Sequence, residues 1–72
     1  MNAIQINRGH GSPYDRGGAD CYYQRRFEPH WYPAGTYRGH RVTADAMSQQ
    51  EIDEYRAGFD AAYEAGDFKD WD

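Results

Sequence analysis

Met47-Ser48-Gln49-Gln50-Glu51-Ile52-Asp53-Glu54-Tyr55-Arg56-Ala57-Gly58-Phe59-Asp60-Ala61-Ala62-Tyr63-Glu64-Ala65-Gly66 is the stretch that decides the fold. Ser48 and Glu51 stand three residues apart. At that spacing a serine side chain accepts from the backbone of the third helical residue while the glutamate reaches back to the cap, so two orphan donors are satisfied reciprocally. Met47 and Ile52 bracket the box at the positions of a hydrophobic staple. Beyond it Ile52, Tyr55, Phe59, Ala62 and Tyr63 recur at i, i+3, i+7, i+10 and i+11, one apolar stripe of a helix, and Gly66 follows as a natural left-handed stop. The pattern predicts a helix over 49–65. Gly58, Ala62 and Gly66 repeat every four residues, as do Ala57, Ala61 and Ala65, which leaves two nearly flat flanks that accept a close neighbour.

The neighbour starts at Ser12-Pro13-Tyr14-Asp15. Serine at the cap, proline at the first helical position and an acid in the first turn all favour initiation, and a helix is expected over 13–26, stopped by Pro29. Gly17 and Gly18 lie inside it, each costing about 1 kcal/mol relative to alanine. That cost implies a packing reason. Tyr14, Gly18, Cys21, Tyr22 and Arg25 share one face, so Gly18 and Gly58 are expected where the two helices cross.

Between the helices runs Pro29-His30-Trp31-Tyr32-Pro33-Ala34-Gly35-Thr36-Tyr37-Arg38-Gly39-His40-Arg41-Val42-Thr43, too long and too aromatic for a passive linker. The expected fold is mainly α: two antiparallel helices joined by a long aromatic-rich loop, in one domain over 12–72, after a flexible segment 1–11. Ile4-Gln5-Ile6 and Tyr37 to Thr43 are the two places where a short strand fits. The tail residues Phe68 and Trp71 are expected to fold back on the helix pair.

Composition agrees with a small, locally built core. The 72 residues include no leucine and one valine, against seven tyrosines, three phenylalanines and two tryptophans. Such rings bury roughly 150 to 250 Å² each, and the core is expected to be aromatic. Cys21 is the only cysteine, so no intramolecular disulfide forms. No apolar run reaches the roughly 20 residues of a membrane span, and Met1 to Gly11 lacks the apolar region of a signal peptide. A cytoplasmic location is expected. Net charge is −4, divided unevenly: the first 43 residues are basic and the last 29 acidic.

Chemistry is sparse. His10, Cys21, His30 and His40 are ligand types for zinc, but they lie nine to eleven residues apart, without the close pairs of structural zinc sites. No metal or cofactor is expected. No nucleophile has a base at helical spacing, no glycine-rich phosphate loop is present, and a chain this short offers little room for an acid–base pocket. No enzyme is expected. The segment Tyr22-Tyr23-Gln24-Arg25-Arg26-Phe27-Glu28-Pro29-His30-Trp31-Tyr32 stands out instead, since arginine interleaved with tyrosine and tryptophan supplies both protein hot spots and stacking platforms for single-stranded RNA. Arg25, Arg26, His30, Trp31 and Tyr32 are the candidate partner-binding residues. Two alternatives remain open. The acids Asp53, Glu54, Asp60, Glu64, Asp67 and Asp70 could mimic nucleic acid and inhibit a host enzyme, or the basic aromatic half could bind single-stranded RNA directly.

The phrases Ser12-Pro13-Tyr14-Asp15-Arg16-Gly17-Gly18-Ala19-Asp20, Pro29-His30-Trp31-Tyr32 and Gly66-Asp67-Phe68-Lys69-Asp70-Trp71 resemble uncharacterised short proteins of tailed bacteriophages. More faintly, Arg16-Gly17 with Ala19 and Tyr55-Arg56-Ala57-Gly58-Phe59 is similar to the ribosome modulation factor family. The first resemblance implies a viral protein acting in a host cytoplasm. The second implies two helices and a ribonucleoprotein partner. Together with the residues, they lead to the expectation of a non-catalytic regulatory protein that docks on a host protein or ribonucleoprotein.

Overall fold

The computed structural model describes residues 8–66 and 68–70. Two helices dominate, α1 over Pro13–Tyr22 and α2 over Gln49–Ala65, with a short antiparallel strand pair between them, β1 over His30–Trp31 and β2 over Val42–Thr43. A single 3₁₀ turn, Ala44–Ala46, leads from β2 into α2. The connection is thus not a plain loop: His30 pairs with Thr43 and Trp31 with Val42, folding the aromatic segment back on itself. Of the two strand options, Tyr37 to Thr43 contains β2, and Ile4-Gln5-Ile6 lies outside the described residues.

Both helix starts follow their local chemistry. Ser12 Oγ accepts from Asp15 N at 3.2 Å, and the Asp15 carboxylate accepts from Gly11 N at 2.9 Å. Gly11, expected in a flexible segment, is buried, and its carbonyl accepts from Tyr32 N at 2.8 Å. At α2, Glu51 N donates to Ser48 Oγ at 3.1 Å and Ser48 N to Glu51 Oε1 at 2.8 Å, the full capping box. Gly66 closes α2 at φ +68°.

The first helix ends four residues earlier than expected. Gln24 turns into the left-handed region at φ +58°, Gln24 N donates to Cys21 O at 3.0 Å, and Arg25 N donates to Asp20 O at 2.7 Å. These paired bonds form a Schellman motif, usually built on glycine, and they release Arg25 and Arg26 from the helix. The buried face of α1 is also rotated from the expected one, to Pro13, Arg16, Gly17, Asp20 and Cys21.

That rotation puts Gly17, not Gly18, at the heart of the crossing. A Cβ on Gly17 would fall inside the Tyr55 carbonyl oxygen, and a Cβ on Gly58 inside that of Tyr14. Each glycine therefore aims a Cα–H at a carbonyl of the opposite helix, the weak hydrogen bond of close helix contacts. Gly18 is more relaxed, its Cβ direction meeting Gly58 O at 3.6 Å.

The interior is less aromatic and more polar than the composition predicts. Among the described residues Cys21, Tyr32, Met47 and Tyr55 are buried in it with Pro13, joined by buried Ser12, Arg16, Asp20 and His30. Phe27 lies edge-on to Tyr55 and Phe59 at the margin, and Tyr63, the last ring of the α2 stripe, is exposed. Phe68 does fold back, with its ring 6.0 Å from that of Tyr63, while Lys69 N donates to Tyr22 O at 2.6 Å. Trp71 lies outside the described residues.

Candidate functional site

Arg16 and Asp20 stand one turn apart on the buried face of α1, an unusual place for two charges. Burying a charge is tolerable when it is paired and hydrogen-bonded, and both conditions are met. Arg16 Nε donates to His30 Nε2 at 3.1 Å. Since the guanidinium can only donate, His30 Nε2 accepts, and the imidazole proton resides on Nδ1, which donates to Glu28 O at 2.8 Å. Burial lowers the His30 pKa, against the opposing pull of the Glu28 carbonyl and Asp20, so the neutral imidazole is the resident form.

Asp20 gathers the rest. Tyr55 Oη donates to its Oδ2 and in turn accepts from Glu28 N at 3.1 Å. Burial, followed by that contact with Asp20, pushes the Tyr55 phenol far up, which keeps it protonated and donating. Arg25 Nη1 lies 3.6 Å from Asp20 Oδ1 and Arg16 Nη2 lies 4.0 Å from the same oxygen. One residue from α1, one from α2 and one from β1 are thereby tied together at Asp20, Tyr55 and His30.

Above this network a cleft of about 280 Å³ opens, lined by Arg16, Arg25, Arg26 and Arg41, by the carboxylates of Asp20 and Glu28, and by His30, Tyr32 and Tyr37. Four guanidinium groups face two carboxylates, so the cleft is electropositive on a chain that is acidic overall. Arg16 Cζ sits 5.7 Å from the Tyr32 ring centroid and 5.3 Å from that of Tyr37, and Arg25 Cζ sits 4.9 Å from that of Tyr23. Tyr37 is held at φ +62°, uncommon for a bulky residue, with its ring at the solvent edge. A hydrogen bond from Arg25, reinforced by the field of Arg16, lowers the Tyr37 pKa. Arg41 is loosely engaged, 3.9 Å from the exposed Glu28 carboxylate.

Of the five residues expected to bind a partner, Arg25, Arg26, His30 and Tyr32 meet at this cleft and Trp31 does not. Strand alternation is the reason: His30 and Tyr32 point to one side, Trp31 to the other. His30 and Tyr32 are buried, so they form the floor of the cleft and do not project as docking side chains. Arg16, Tyr37 and Arg41 complete the site and were not marked by the sequence reading. Arg16 with Asp20 at i+4 was the available signal, and Tyr37 to Arg41 continues the same aromatic and basic pattern.

Among the described residues no cluster of three or more His, Cys, Asp or Glu side chains has the arrangement of a metal site. Cys21 is buried beside Phe59 and Phe68, and His10 Nδ1 accepts from Thr36 N at 3.3 Å. Nor is any helix among the described residues long and apolar enough to cross a membrane. No family model, no curated protein and no solved structure matches this chain.

Proposed function

We propose that this protein is a small non-catalytic binding module, of the kind tailed bacteriophages encode, that docks in the host cytoplasm on a protein or ribonucleoprotein through its arginine-lined cleft. One observation carries the reading: Arg16, the adjacent Arg25 and Arg26, and Arg41 come from three parts of the chain and converge on a single concavity with Tyr32 and Tyr37 beside them. Arginine and tyrosine are the side chains most often decisive at interfaces, because they combine large contact area with directed hydrogen bonds. The buried network beneath favours binding over turnover: Asp20, Tyr55 and His30 are engaged with one another's elements and hold the cleft's shape.

The test is affinity capture from bacterial lysate with the wild-type chain and the double variant Arg26→Glu, Arg41→Glu. Both side chains are exposed and Arg41 has only a surface ion pair, worth about 1 kcal/mol or less, so the variant keeps its fold by circular dichroism. Loss of the captured partner is the expected result. Retention of the same partner at the same yield would remove the cleft from the interface and sink the reading.

A further inference from the structure

We infer that the cleft is a receptor for a phosphate monoester, presented as a phosphorylated side chain of a partner protein. The inference rests on the docking reading above and adds the chemistry that the partner must offer.

Convergence is the first argument. A polyanion such as RNA is held by a basic groove that tracks its backbone, phosphate after phosphate. Here four guanidinium groups surround one volume of about 280 Å³, just below the range of roughly 300 to 1,000 Å³ that encloses drug-sized ligands. The space suits one phosphate and the end of the side chain that carries it. The chain's net charge of −4 also disfavours a long polyanion while leaving a single anion in a concave basic site well placed.

Charge is the second. Asp20 and Glu28 offset two of the four arginines, leaving an excess of two positive charges at the cleft. A phosphate monoester carries about −1.5 to −2 at neutral pH, whereas a phosphodiester or a carboxylate carries one charge. Arginine clusters are the usual readers of phosphorylated motifs, since the planar guanidinium matches phosphate oxygens two at a time.

The site is also pre-organised. Arg16 is fixed by His30 at its Nε and by two tyrosine rings at its face. Arg25 is fixed by Asp20 and the Tyr23 ring. Two cations are therefore positioned before any ligand arrives, which lowers the ordering cost of binding. Arg26 is exposed and makes no ion pair or ring contact among the described residues, so it is the arm that closes on the phosphate. The Tyr37 ring at the mouth is placed to meet the organic group to which the phosphate is attached.

The experiment is an NMR titration of the ¹⁵N-labelled full chain, observing arginine Nε–Hε signals, with phenyl phosphate, O-phosphoserine, the diester methyl phenyl phosphate and decauridylate as probes. Phenyl phosphate is expected to give saturable shifts at Arg25, Arg26 and Arg41, and the diester to bind about tenfold more weakly or worse. O-phosphoserine tells a phosphotyrosine-like ligand from a phosphoserine-like one, and saturable binding of either supports the proposal. Arg26→Gln should weaken phenyl phosphate about tenfold with the remaining spectrum unchanged, whereas Arg56→Gln, which removes a cation that sits over the Phe27 ring and does not line the cleft, should not. Equal binding of monoester and diester, tighter binding of decauridylate than of phenyl phosphate, or no saturable shift with either monoester would overturn the inference. If the phosphate probes fail while Arg26→Glu, Arg41→Glu still abolishes partner capture, the docking reading survives and the phosphate chemistry alone is lost.

Discussion

Tyr55 is wholly buried, and its hydroxyl joins the two helices and the approach to β1 through Asp20 and Glu28 N. The sequence marked it only as one apolar position of a stripe, because periodicity reports which side faces inward and says nothing of what a phenol finds there. His30 was legible as a functional candidate but not as a structural one. Its neutral form is what the fold accommodates, and protonation would set a second donor against Arg16 Nε. Burial lowers the folded-state pKa of His30, so below the unfolded value of about 6.5 the unfolded chain binds more protons and stability falls as the pH falls. Above that value the contribution of His30 is fully present. The thermal midpoint is therefore expected to drop as pH is taken from 7 toward 5, and His30→Gln, though less stable at pH 7, should show a shallower drop over the same range. Parallel profiles for the two proteins would mean that other groups set the acid sensitivity.

At the scale of elements, the start and end of α2 were readable to the residue, since capping box and left-handed glycine are local devices. The end of α1 was not. Gln24 takes a left-handed conformation that glycine usually supplies, and a glutamine carries no such signal. Glycine positions were readable in kind but only half in detail: Gly58 was expected at the crossing, whereas its counterpart is Gly17. This yields a pattern of opposite signs. Alanine in a helix interior ordinarily gains about 1 kcal/mol over glycine. At Gly17 and Gly58 the added methyl meets backbone that cannot yield without separating the helices, and overpacking costs typically about 1 to 3 kcal/mol or more. Gly18 meets only an ordinary contact. Gly17→Ala and Gly58→Ala are each expected to lower the thermal midpoint and Gly18→Ala to raise it. A rise for Gly58→Ala would mean that the helices do not touch there.

Taken whole, the molecule answers the shortage of leucine and valine with a small aromatic core around Tyr55 that shares the interior with a hydrogen-bonded ionic centre. Composition counts rings, but only tertiary contacts decide which charges can be neutralised inside. The cleft was legible as a rich segment, Arg25 to Tyr32, and illegible as a cavity, because Arg16 and Arg41 reach it from 25 residues apart in the chain. Tail and thiol make a last pair. Lys69 N on Tyr22 O, Gln24 Nε2 on Lys69 O at 3.0 Å, and Phe68 against Tyr63 close one end of the molecule over Cys21. Burial, with Asp60 nearby, raises the thiol's pKa and keeps it unreactive. Cys21 is consequently a stopwatch for that closure: under excess disulfide reagent its modification rate counts how often the tail lifts. Phe68→Ala should speed the reaction several-fold with little change in thermal midpoint, and an unchanged rate would tie the clock to unfolding of the whole chain. A single sulfur atom would then time the lifting of the tail, in a hollow that shares Arg25 with the cleft.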